Sequence, residues 1–250
     1  MIERMTMESR IVSVSRVLNR LRNRYGRQSL FRHLRDLIRP NHSTFIVENA
    51  ESVTDFWELA HKDKSHPWLS GTPPLEVFER LKIQDHLKIG DRSILNVGVG
   101  EGYCTYALSK QGNTVDALDI STNALANVAN FTEYQFLDAA NLDAKKYDLI
   151  LHHLVSQHMS HVNLSAQLSH LIRSQKVDGI LALQFVSSSK NEMFVTEDDD
   201  ISAQMHGGVF RSTQFMDEMI KGCGGRLINV FKTESWENSE AVFQTVHVQR

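Results

Sequence analysis

The stretch Ser93-Ile94-Leu95-Asn96-Val97-Gly98-Val99-Gly100-Glu101-Gly102 combines an apolar strand with a G-x-G-x-G turn. Such a turn lets the backbone bend sharply and approach a ligand with no Cβ in the way. Twenty residues on, Asp119 ends the next apolar run, Val115-Asp116-Ala117-Leu118. A carboxylate at that place can accept hydrogen bonds from both hydroxyls of a ribose. The dinucleotide fingerprint G-x-G-x-x-G requires a third glycine at position 103, where Tyr103 stands instead. The spacing therefore suits an adenosine ligand without phosphates better than a pyrophosphate.

A second group of residues could handle protons. His152, His153, His158 and His161 cluster after the apolar run Tyr147–Leu151, and imidazole exchanges a proton near neutral pH. His206 lies in Gln204-Met205-His206-Gly207-Gly208, where paired glycines after a long loop read as a lid. His153 and His206 are the candidate general bases. His158 is a further catalytic candidate whose competing role is local packing. Arg211 is the candidate partner for a carboxylate or phosphate on the substrate, and Trp68 a candidate lid residue over it. No cysteine or carboxylate completes a zinc set around the histidines, so no metal is expected. Cys104 and Cys223 lie far apart and read as free thiols of a reducing compartment.

These residues need a scaffold at a sheet edge. Strands are expected near 93–98, 114–118, 134–137, 147–152 and 179–186, and helices near 102–110, 122–130, 162–174 and 212–222. That alternation calls for a parallel sheet covered on both faces. Two last strands, 226–232 and 241–249, form a closing hairpin. Upstream, short helices are expected over 53–60 and 75–87, separated by the loop His66–Pro74.

The ordered set of motifs resembles the class I S-adenosylmethionine-dependent methyltransferases over roughly residues 75–250. The resemblance implies an α/β fold, a seven-stranded mostly parallel Rossmann-like sheet with an antiparallel last strand, helices on both faces and an N-terminal helical extension. It implies S-adenosylmethionine as cofactor and S-adenosylhomocysteine as product. The cofactor-binding residues it implies are Asn96, Gly98, Gly100, Gly102, Asp119, Ile120, Asp138 and Ala139, with Asp138 near the adenine. Asn96 departs from the pattern, since many members carry Asp there. After the fourth strand, His152-His153-Leu154-Val155 replaces the Asn/Asp-Pro-Pro-aromatic motif of enzymes that methylate exocyclic amines of nucleic-acid bases.

Composition is that of a soluble globular protein, with 41% hydrophobic and 23% charged residues and a net charge of −3. No run is long and apolar enough for a membrane span, and no signal-peptide core is present, so a cytoplasmic location is expected. The charge is unevenly placed. Residues 1–40 hold ten arginines against three acids, +7, which leaves 17 basic and 27 acidic residues, −10, in the rest. The chain thus divides into a basic helical extension (1–40), a helical and loop linker that doubles as a lid (41–74) and the catalytic domain (75–250). Met7, Ile11, Val14, Leu18, Leu21 and Tyr25 form an apolar seam suited to a homo-oligomer or a protein partner, with peripheral membrane contact a further option. The acidic body disfavours nucleic acid.

Methyl transfer to a hydroxyl of a small molecule or saccharide is the expected reaction. Two other readings share these motifs: an RNA or protein methyltransferase docked by the arginine-rich extension, and an inactive methyltransferase-like scaffold.

Overall fold

The computed structural model describes residues 50–63, 72–87, 90–142, 144–197, 204, 208–235 and 241–250. All belong to one compact unit, Asn49–Arg250. The expectations for residues 1–40, for Trp68 and for His206 lie outside the described residues.

Seven strands form one sheet in the order β3-β2-β1-β4-β5-β7-β6. They are β1 (Ser93–Val97), β2 (Thr114–Leu118), β3 (Gln135–Phe136), β4 (Tyr147–His152), β5 (Gln175–Ser188), β6 (Arg226–Ser235) and β7 (Ala241–Gln249). β1 to β5 pair in parallel, while β7 runs antiparallel between β5 and β6. The central strands bury almost every side chain because helices cover both faces. Successive residues Ile94 and Leu95, both fully buried, belong to opposite cores.

On one face, α5 (His161–Arg173) and α6 (Thr213–Gly222) contribute Leu164, Leu168, Leu171, Ile172, Met216 and Ile220. On the other, α2 (Pro74–Arg80) contributes Val77 and Phe78, and α3 (Tyr103–Lys110) contributes Leu108. A smaller cluster joins α4 (Thr122–Val128), through Ala124, Leu125 and Val128, to Val99 and Ala117.

The helix expected over 75–87 is shorter than its pattern. It stops at Arg80 because Lys82 adopts φ 54°, and a 3₁₀ turn follows at Gln84–His86. β5 starts four residues before its expected position, bending at Asp178 with φ 65° where its register with β4 shifts. Among the described residues, no helix is long and apolar enough to cross a membrane.

A carboxylate of α1 (Val53–Asp63) ties that helix to the N-terminus of α4. Glu58 accepts from Ser121 Oγ at 2.9 Å, from Thr122 N and Oγ1 at 2.7 Å each, and from Asn123 Nδ2 at 2.8 Å. It thus caps the N-terminus of α4 from a segment more than sixty residues away, where the helix dipole favours an anion. Burial opposes the charge, but these hydrogen bonds outweigh it and bring the carboxyl down to about 2 from 4.5. A carboxyl depressed on folding stabilises above its unfolded pKa and loses that contribution as the pH falls through the folded value. Glu58→Gln should therefore melt several degrees below the wild type at pH 7, and the gap should close between pH 4.5 and 2. Melting curves that stay parallel across that range would exclude this role for the charge.

Candidate active site at the carboxyl edge of the sheet

Strand register brings the motif residues to one edge. Val97 lies opposite Leu118 on β2 and opposite His152 on β4, so Gly98, Asp119 and His153 follow the three central strands side by side. Open parallel sheets bind ligands beyond this edge.

The three glycines of the turn all have positive φ, but they answer to different neighbours. A Cβ on Gly98 would stand 2.2 Å from Val155 Cγ2, and one on Gly102 would stand 2.7 Å from Val128 Cγ1, so these two admit internal packing. A Cβ on Gly100 would meet nothing within 4 Å. Its φ of 55° fits glycine, and its half-buried backbone has open space beside it that a ligand can enter.

Asp119 stands beside the turn, at the carboxyl end of β2. Its Oδ1 accepts from Ser121 N at 2.9 Å, and the N–H groups of Gly100 and Val99 also bond the carboxylate. Burial is the larger influence and pushes the carboxyl up to about 6. Ile120 beside it is 40% exposed, an apolar surface at the edge. Asp138 is exposed and accepts from Ala140 N at 2.9 Å, while Ala139 is buried at the start of a 3₁₀ turn. Asn96 is buried and donates to Thr105 Oγ1 of α3 at 3.0 Å, holding β1 to the helix that leaves the turn.

The histidines divide by their neighbours. His152 is fully buried on Gln167 of α5 at 2.9 Å, and burial brings it down to about 4. The Nε2 atom of His153 is buried with no hydrogen-bond partner. Burial, reinforced by Arg80 and His152, brings that imidazole down to about 3. His158 donates from Nδ1 to the Gln204 carbonyl at 2.8 Å and meets the Trp57 ring edge-on at 4.8 Å. His161 donates from Nε2 to the Thr196 carbonyl at 2.7 Å. His158 and His161 thus tie the segment after β5 to the loop after β4.

Arg211 differs most from its expectation. It is fully buried, and its guanidinium donates to the carbonyls of Ser156 (2.8 Å) and Met159 (2.6 Å) and to His161 Nδ1 (3.0 Å). Those donors are committed to the protein's own loop, so a substrate carboxylate or phosphate has no exposed fork to meet there.

α1 supplies residues that lie outside the sequence motifs. Glu58 reaches past β2, Trp57 packs on His158 past β4, and His61 faces Glu101 past β1. Three contacts after three different strands lay this helix across the site edge. The signal available in sequence was the spacing of His61, four residues after Trp57 and three after Glu58, the two separations at which side chains meet on a helix. Among the described residues, no group of three His, Cys, Asp or Glu side chains is placed to hold a metal.

Residues 95–183 match the family model described as a methyltransferase domain. Solved structures align along most of the chain at low identity. Magnesium protoporphyrin IX methyltransferase from Synechocystis PCC 6803 with bound SAH is 16% identical with a TM-score of 0.56. That alignment covers 79% of this chain and 98% of the other. The 1,6-didemethyltoxoflavin-N1-methyltransferase of Burkholderia thailandensis, with 1,6-didemethyltoxoflavin and S-adenosylhomocysteine bound, is 14% identical with a TM-score of 0.59. Coverage is 84% and 90%. A TehB-like SAM-dependent methyltransferase from Corynebacterium glutamicum is 17% identical with a TM-score of 0.51, covering 84% and 99%. At such identities the likeness speaks for the fold. A search of curated proteins finds no significant match.

Proposed function

We propose that this class I S-adenosylmethionine-dependent methyltransferase moves the methyl group of S-adenosylmethionine to a hydroxyl of a small molecule or saccharide. The observation that carries the reading is the strand register, which sets Gly98, Asp119 and His153 side by side at the carboxyl ends of β1, β2 and β4. The residues present fit the cofactor. Asp119 offers a carboxylate to the ribose hydroxyls, Ile120 an apolar surface to the adenine, and Asp138 an acceptor at its rim. The cofactor supplies an activated methyl on a sulfonium, and the protein's task is to align an acceptor and take its proton.

His153 is the base in this reading, with His206 its alternative. A base brought down to about 3 by burial is neutral at pH 7 but weakly basic, so its contribution is modest. Full-length protein incubated with methyl-labelled S-adenosylmethionine and a panel of phenols, small hydroxy compounds and oligosaccharides should yield an alkali-stable methyl ether. With the acceptor found, His153→Ala should slow turnover by about tenfold with S-adenosylhomocysteine affinity unchanged. Label that appears only on nitrogen, in RNA or in protein would replace this reading with the docked RNA or protein methyltransferase. Residues 1–40 are assigned to assembly or docking, through their apolar seam and +7 charge, in a role separate from catalysis.

A further inference from the structure

Two polar atoms at the site edge are buried and have no hydrogen-bond partner although they face each other. They are His61 Nδ1 on α1 and Glu101 Oε1 in the glycine turn, 3.9 Å apart. His61 is only 4% exposed, and a buried polar group left unsatisfied costs free energy unless something completes it. We propose that His61 and Glu101 together hold the α-ammonium group at the amino-acid end of the bound cofactor, so that α1 is part of the cofactor site. The inference rests on the cofactor reading above and assigns two residues to it.

The chemistry selects the ligand group. Burial brings His61 down to about 4, so at neutral pH the imidazole is uncharged and makes no ion pair with Glu101. Both facing atoms are then acceptors, the nitrogen through its lone pair when Nε2 carries the proton. Two acceptors that close repel each other unless a donor sits between them. One tetrahedral ammonium making two hydrogen bonds of about 2.8 Å spans acceptors roughly 4.6 Å apart, so the two side chains need open by less than ~1 Å to admit it. The sulfonium, the cofactor's other cation, has no N–H and cannot use either atom. Glu58, one helical turn away, is already occupied by Ser121, Thr122 and Asn123 and cannot take this part.

Position agrees with the chemistry. Glu101 directly follows Gly100, whose backbone opens on the empty space, and Asp119 binds the same turn through the N–H groups of Val99 and Gly100. A ligand whose ribose meets Asp119 has its opposite end free to reach the next residue of the turn.

The test is calorimetric titration of the full-length protein with two ligands, S-adenosylhomocysteine and 5′-methylthioadenosine, which lacks the amino-acid end. Glu101→Gln keeps the shape and removes the charge, and His61→Asn is the second variant. Glu101→Gln should weaken S-adenosylhomocysteine by about tenfold or more, His61→Asn by a smaller factor. Both variants should bind methylthioadenosine within about twofold of the wild type and melt at its temperature. S-adenosylhomocysteine binding within twofold of the wild type in Glu101→Gln would overturn the proposal, as would equal weakening of both ligands. A wild type that binds neither ligand would instead overturn the cofactor reading on which it rests.

Discussion

Arg211→Met should lower stability by about 3–5 kcal/mol, because it leaves three acceptors without their donor at about 1–3 kcal/mol for each that is buried. The arginine is fully buried, and three of its hydrogen bonds converge on the stretch 156–161, at Ser156 O, Met159 O and His161 Nδ1. Methionine has a similar length and fills the space, but it leaves two carbonyls and a ring nitrogen without their donors. Because His161 also donates to the Thr196 carbonyl, the loss spreads to the segment after β5. Arg211→Lys keeps the charge but cannot reproduce the planar fork, so it should also be strongly destabilised. Urea titrations of both variants measure the effect. Unfolding free energies within about 1 kcal/mol of the wild type would show that the guanidinium is not what holds this loop.

Asp119→Ala should weaken S-adenosylhomocysteine binding by roughly 30-fold to 1,000-fold, equivalent to about 2–4 kcal/mol for a desolvated carboxylate bonded to two hydroxyls. The pH dependence has a definite sign. Burial raises this carboxyl to about 6, and ribose hydroxyls donate to its ionised form. Below about pH 6 the free protein carries a proton that the ligand must displace, so affinity falls as the pH drops from 7.5 to 5. In Asp119→Ala that slope should vanish. An alanine variant with wild-type affinity, or one that keeps the slope, would take the ribose away from Asp119.

The glycine turn, the acid after β2 and the closing hairpin were legible in sequence because each is local. A strand, a turn and an adjacent acid fall within thirty residues and carry their own periodicity. Two apolar runs joined by a short polar stretch announced the hairpin, while the antiparallel insertion of β7 was what the methyltransferase resemblance implied. Lys82 was not legible, since no glycine or proline between Leu81 and Ile83 announces the positive φ that ends α2. Arg211 looked available because sequence cannot show that the loop 156–159 turns two carbonyls toward it. Glu58, His61 and Glu101 escaped for a related reason. Their partners lie about forty to sixty residues away, and only the fold makes them neighbours.

The account's central claim is that the cofactor lies beyond the carboxyl ends of β1, β2 and β4. Hydrogen–deuterium exchange of the full-length protein, with and without S-adenosylhomocysteine, tests it in one measurement. Slower exchange is predicted in peptides covering 96–103, 119–122 and 138–142, and in α1 over 57–63, with the β6–β7 hairpin unchanged. Protection confined to other segments, or none at saturating ligand, would contradict the account.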